Sequence, residues 1–247
     1  SLIRVAQLAA EVGFPAGAIN IVTGYGHEVG DALAKHPGID HISFTGSPTV
    51  GTLIQQAAAA RHCPVTLELG GKSPQIIFAD ADLDAAIPVV INAIVQNAGQ
   101  TCSAGSRVLI EQSIYEPLLA RLGEAFSKLR VGPAKADLNL GPLIRASQKQ
   151  RVQGFLADAQ AAGIATVAQG LVVSDAPESG FYQAPVLLRD VPVDHRVAQE
   201  EVFGPVLSAM RFEGEDQAVQ LANATSFGLV AGVWTRDGGR QFRIAKR

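Results

Sequence analysis

Cysteine is scarce in this chain: Cys63 and Cys102 are the two thiols among 247 residues. Two thiols cannot staple a disulfide scaffold, and their scarcity suits a reducing compartment. The five histidines, His27, His36, His41, His62 and His195, show no HExxH or similar spacing, so no metal site is indicated. Charged residues make up 17% of the chain and the net charge is −3, with no basic excess to draw nucleic acid or an anionic membrane. Long apolar runs are missing too. A bilayer span needs about 18 to 20 residues, and the longest candidate, Ala85 to Val95, is shorter and carries Pro88 and Asn92. The opening residues contain no basic segment leading into an apolar one and a cleavage site. A soluble cytoplasmic protein is the expectation.

What is present is apolar and globular in character. Hydrophobic residues are 47% of the sequence, enough for one large domain or two small ones. Short apolar runs alternate with helical patterns throughout, which reads as an α/β fold with a largely parallel sheet. Leu2 to Val12 has helical spacing and stops at Gly13; Ala18 to Val22 reads as a strand and Glu28 to Lys35 as a helix. His41 to Phe44, Ser47 to Ala60 and Pro64 to Leu69 follow as strand, helix and strand. Past Gly70-Gly71, the strands fall at Gln75 to Phe78, Arg107 to Ile110, Ala165 to Ala168, Gln183 to Leu188, Pro205 to Arg211 and Leu229 to Thr235. The helices fall at Asp82 to Gln96, Ser113 to Leu129, Ser147 to Ala162 and Glu213 to Ala224. Leu83, Ile87, Val90, Ile91 and Ile94 lie on one face of the first of these. Gly70-Gly71 is the plausible seam, because backbone freedom is greatest there.

Four motifs carry chemistry. Cys102 sits in Gly99-Gln100-Thr101-Cys102-Ser103-Ala104-Gly105, and Glu68 in Leu67-Glu68-Leu69-Gly70-Gly71-Lys72. A thiol can attack a carbonyl carbon, and a carboxylate can activate the water that releases the acyl group. Phe44-Thr45-Gly46-Ser47-Pro48 joins a strand to a helix, with Ser47 as N-cap and Pro48 at the first helical position. Such a helix start suits a phosphate, and equally suits nothing more than a well-capped helix. Glu200-Glu201-Val202-Phe203-Gly204-Pro205 offers carboxylates for ribose hydroxyls and an aromatic for a flat ring, or an acidic turn with a buried phenyl.

In this order, these motifs resemble the aldehyde dehydrogenase superfamily, and the resemblance extends over essentially the whole chain. It implies a partial Rossmann-like cofactor domain over residues 1–70, followed by a catalytic domain of mostly parallel sheet over residues 71–247. It implies Cys102 as nucleophile and Glu68 as base, with an aldehyde as the small-molecule substrate and NAD or NADP as cofactor. Gly46 and Ser47 would approach the pyrophosphate, Leu69 and Gly70 the nicotinamide, Glu201 the ribose and Phe203 the nicotinamide side. Glu68 favours release of a free carboxylic acid over transfer to coenzyme A.

Full members of the family are roughly twice this length, so the chain reads as a fragment, expected to bind cofactor poorly. A structural piece without activity and a coenzyme A-acylating enzyme remain as alternatives. Edge strands near Ile19 and Val233 would lack neighbours, which favours self-association into a homo-oligomer.

Overall fold

The computed structural model of the chain describes residues 2–247, and they divide into two compact units that meet in sequence at Leu69 and Gly70. No helix among the described residues is long and apolar enough to cross a membrane.

The first unit contains α1 (Leu2–Glu11), a wide turn over Gly26–Gly30, α2 (Asp31–Lys35), β1 (Ile42–Thr45), α3 (Pro48–Ala59) and β2 (Val65–Glu68). β1 and β2 pair in parallel, with Thr45 opposite Glu68. α3 starts where its caps dictate: the Ser47 hydroxyl accepts from the Val50 amide, and Pro48 occupies the first turn. Ala18 to Val22 is not a strand. The Ala18 amide donates to the Pro15 carbonyl, Gly17 has a φ of +85°, and the Asn20 side chain donates to the Gly17 carbonyl. These contacts close a turn where an extended segment was expected, so Ile19 lies on no strand edge.

The second unit runs β3 (Pro74–Ile77), α4 (Leu83–Val95), β4 (Arg107–Glu111), α5 (Tyr115–Ser127), β5 (Arg130–Val131), α6 (Ala146–Ala161), β6 (Thr166–Gln169), β7 (Leu171–Val172) and β8 (Val186–Leu188). It ends with α7 (Arg196–Gln199), β9 (Val206–Phe212), α8 (Gly214–Ala222), β10 (Gly232–Trp234) and α9 (Gly238–Ala245). Its main sheet has the order β10-β3-β4-β9-β8-β6. Every pairing in that sheet is parallel except β6 with β8. The central strands are covered on both faces, so Val108, Leu109 and Ile110 are all buried in succession. Ile87, Val90 and Ile94 of α4 are buried, while Leu83 and Ile91 of the same stripe are half-buried. Each fully buried side chain of this kind stabilises by about 1.5–3 kcal/mol. β10 is an edge strand, as the position of Val233 suggested.

Candidate active site

Each unit assembles part of the predicted set. In the first, the Gly46 amide donates to the Glu68 carbonyl at 3.0 Å, which brings the loop before α3 beside the end of β2. Leu69 packs over the start of α3, where a Cβ on Gly51 would lie 2.6 Å from its side chain. The start of α3 and the main chain of Glu68, a residue exposed to solvent, are therefore neighbours on one small parallel pair.

In the second unit, three segments far apart in sequence converge on the turn that carries Cys102. α4 ends at Val95, and Asn97, Ala98 and Gly99 then take left-handed conformations with φ of 51°, 55° and 74°. Such a conformation costs roughly 1–2 kcal/mol for a residue with a Cβ, so neighbouring contacts must hold it. The Asn97 side chain donates to the Gln100 carbonyl, and the Gln100 side chain donates to the Asn97 carbonyl, both at 3.0 Å. The Gln100 side-chain oxygen also accepts from the Ile144 amide at 2.9 Å. This reversal delivers Cys102 into a tight turn closed from the Ala104 amide to the Thr101 carbonyl. The thiol is half-buried and free of disulfide.

The glycines explain the close fit. A Cβ on Gly71 would lie 2.3 Å from the Cys102 carbonyl oxygen, and one on Gly99 would lie 2.3 Å from the Gly204 carbonyl carbon. A Cβ on Gly70 would meet the Glu201 carboxylate at 2.5 Å. The Gly71 amide donates to Glu201 Oε1 at 3.1 Å. Burial pushes the Glu201 carboxyl above its usual range, against the opposing pull of that amide, Arg151 and Lys72.

Residues that the motif reading passed over hold this arrangement. Phe203 has a φ of +56°, a strained value for an aromatic. α6 fixes it: Gln148 Nε2 donates to the Val202 and Phe203 carbonyls at 3.1 and 2.7 Å, and Arg151 donates to the Glu201 carbonyl at 2.7 Å. Arg107, 1% exposed, donates to the Lys72 carbonyl at 2.8 Å and to the Leu221 and Ala222 carbonyls at 2.7 Å each. It thereby ties the glycine motif to the C-terminal end of α8, whose last carbonyls need donors. Burial lowers its guanidinium to about 10, so it is still charged at neutral pH. A charge leading the apolar run Arg107-Val108-Leu109-Ile110 was the available signal.

The sequence model of the aldehyde dehydrogenase family matches residues 1–247. An aldehyde dehydrogenase of Emericella nidulans is 41% identical over 99% of this chain and 49% of its own length. A Burkholderia cenocepacia protein, provisionally assigned as an aldehyde dehydrogenase, has a crystal structure 72% identical, with a TM-score of 0.98 over 99% of this chain and 52% of that one. A betaine aldehyde dehydrogenase of Staphylococcus aureus, solved with NAD+, is 38% identical with a TM-score of 0.94, covering 99% of this chain and 49% of that one. The chain thus spans about half the length of the relatives it matches. On its fold and on this match along its whole length, the chain belongs to the aldehyde dehydrogenase family.

Proposed function

We propose that the chain carries the thiol and the base of an NAD(P)-dependent oxidation of an aldehyde to a carboxylic acid. The observation that carries this reading is the convergence of the Cys102 turn, Gly70-Gly71 and the Glu201–Gly204 loop, packed so tightly that a Cβ at Gly71 or Gly99 would collide with backbone. The Cys102 thiolate adds to the aldehyde carbon, giving a thiohemiacetal whose oxyanion the Cys102 amide stabilises. NAD or NADP, held by the residues named below, would supply the hydride acceptor that oxidation of this adduct to a thioester requires. Glu68 then takes a proton from water, whose oxygen attacks the thioester and releases the acid.

The residues present fit such a cofactor in parts. The amide end of α3 with Gly46 and Ser47 suits a phosphate. Glu201, anchored through one oxygen by the Gly71 amide, keeps the other for a ribose hydroxyl. Leu69 and Gly70 would border the nicotinamide ring, with Phe203 beside it; the missing side chain at Gly70 leaves room. The NAD+ complex of the Staphylococcus aureus relative supports the choice of cofactor class. The unpaired side of β10 supports a homo-oligomer.

Hydrolysis of p-nitrophenyl acetate tests the reading, because it needs thiol and base but no cofactor. A Cys102-dependent burst followed by Glu68-dependent turnover is expected, with Cys102→Ala abolishing both phases and Glu68→Gln the second. An ester hydrolysis that Cys102→Ala leaves unchanged would overturn it.

A further inference from the structure

Gln100 stands just ahead of the thiol and uses both ends of its side chain. Its Nε2 donates to the Asn97 carbonyl at 3.0 Å, and its Oε1 accepts from the Ile144 amide at 2.9 Å. The first bond closes the left-handed reversal that leads to Cys102. Asparagine and glycine enter that conformation readily and alanine does not, so the strain sits at Ala98, whose φ is 55°. The second bond fixes the chain just before α6. Arg145, at the head of α6, offers no side-chain cap, so the helix start depends on tertiary contacts such as this one. α6 in turn holds the Val202 and Phe203 carbonyls through Gln148. The backbone then returns to the reversal at Gly204, where a Cβ on Gly99 would lie 2.3 Å from the carbonyl carbon. Gln100, α6 and the Phe203 loop thus form a closed ring of contacts around the segment that carries Cys102.

We infer that Gln100 is a positioning residue for the Cys102 thiol, acting through the strained reversal and the start of α6. The inference rests on Cys102 being the nucleophile proposed above. The task needs a donor and an acceptor on one planar group, which a carboxamide has. A carboxylate keeps the acceptor for Ile144 and loses the donor for Asn97; a thioether offers only a weak acceptor. Without the Nε2 bond, Ala98 is free to leave its left-handed conformation, and the thiol swings out of line with the carbonyl it attacks. Gln100 itself touches no substrate, so the rate of attack falls while the affinity for ester stays.

The test is the p-nitrophenyl acetate burst at neutral pH in Gln100→Met and Gln100→Glu, each shown to be folded by circular dichroism. Both should lower the limiting burst rate at least about tenfold, with the half-saturating ester concentration unchanged. Adding Ala98→Gly, which removes the left-handed cost, should restore the burst several-fold in either variant. Hydrogen exchange reads the other end of the side chain. Ile144 is 75% exposed, so protection of its amide comes from the Gln100 bond. That amide should lose protection in Gln100→Met and keep it in Gln100→Glu. A Cys102-dependent burst that stays at the parent rate in both variants would overturn this inference alone. A deficit that Ala98→Gly leaves untouched, or an Ile144 amide equally protected in Gln100→Met and parent, would overturn it too. A parent burst that survives Cys102→Ala would instead remove the nucleophile, and this inference with it.

Discussion

The two units differ in what shields their residues from water. Up to Leu69, the buried residues are Ala34, Gly51 and Ala58, which have almost no side chain to bury. Leu2, Ile3, Val5, Leu8, Phe14 and Val22 of that unit are all exposed. From Gly70 onward, Ile, Leu, Val and Phe from β3, β4, β8, β9, α4, α5 and α6 are buried together. The first unit shows how far caps, turns and strand pairing can draw an element without an apolar core. The second shows what a core adds: it holds a strained loop such as Asn97–Gly99 against its own cost. Native-state hydrogen exchange should therefore find low opening free energies up to Leu69 and near-global values in β4 and β9.

The largest expected effect breaks the second unit at its buried cation. Arg107→Ala removes three hydrogen bonds from a charged donor, each of which contributes about 1.5–3 kcal/mol. A loss of about 4 kcal/mol or more is expected in urea unfolding of β3, β4 and α8. A loss under about 1 kcal/mol would mean that the guanidinium is not the tie between Lys72 and α8.

The next contrast lies inside the glycine pair. At Gly71 a Cβ meets Cys102 backbone, which cannot move without moving the thiol; at Gly70 it meets the end of the flexible Glu201 side chain. Gly71→Ala should cut the Cys102-dependent burst by at least about tenfold, roughly 1.4 kcal/mol. Gly70→Ala should leave the burst nearly intact and weaken nucleotide binding instead. Equal loss of the burst in both variants would refute the contrast.

A smaller effect separates pH regimes. Lys72 titrates near 7 when folded, against 10.5 for the free side chain. The unfolded chain therefore binds a proton that the folded chain refuses between those values. Its contribution to stability is complete above 10.5, declines as pH falls, and is fully lost once pH has passed below 7. Lys72→Met removes that slope, so thermal melts of the variant should depend less on pH between 7 and 10.5. Parallel slopes in variant and parent would show that the ammonium is not desolvated.

Much of this was legible in the chain, and the limits have physical causes. Asp82, Ser47 and Pro48 mark helix starts because a cap acts within one turn. β3, β4 and β9 stand out because strands buried on both faces are continuously apolar. The Ala18–Val22 segment misled because apolar residues permit a strand, while pairing with a neighbour makes one. The strand at Ala165–Ala168 was readable as β6, but its antiparallel direction, like the short β5 and β7, depends on partners that no local pattern names. At the site, glycine and thiol motifs were readable; Gln148, Arg151 and Arg107 were not. Their partners lie 35 to 115 positions away, so packing alone assigns them.

The finest test of the comparison uses equivalent caps in the two units. Asp82 accepts from the Asp84 and Ala85 amides at 3.1 Å, at the head of α4, whose inner face is buried in the core. Ser47 accepts from the Val50 amide at a longer 3.4 Å, at the head of α3, whose buried residues are Gly51 and Ala58. Removing a cap costs about 0.5–2 kcal/mol. Asp82→Ala should therefore lower the global unfolding free energy by about 1 kcal/mol, because α4 cannot fray without exposing Ile87 and Val90. Ser47→Ala should cost about 0.5 kcal/mol and appear as faster exchange confined to α3, with the global transition unmoved. If Ser47→Ala shifts the global transition as much as Asp82→Ala does, the first unit folds in one step with the second, and the division drawn from burial does not hold.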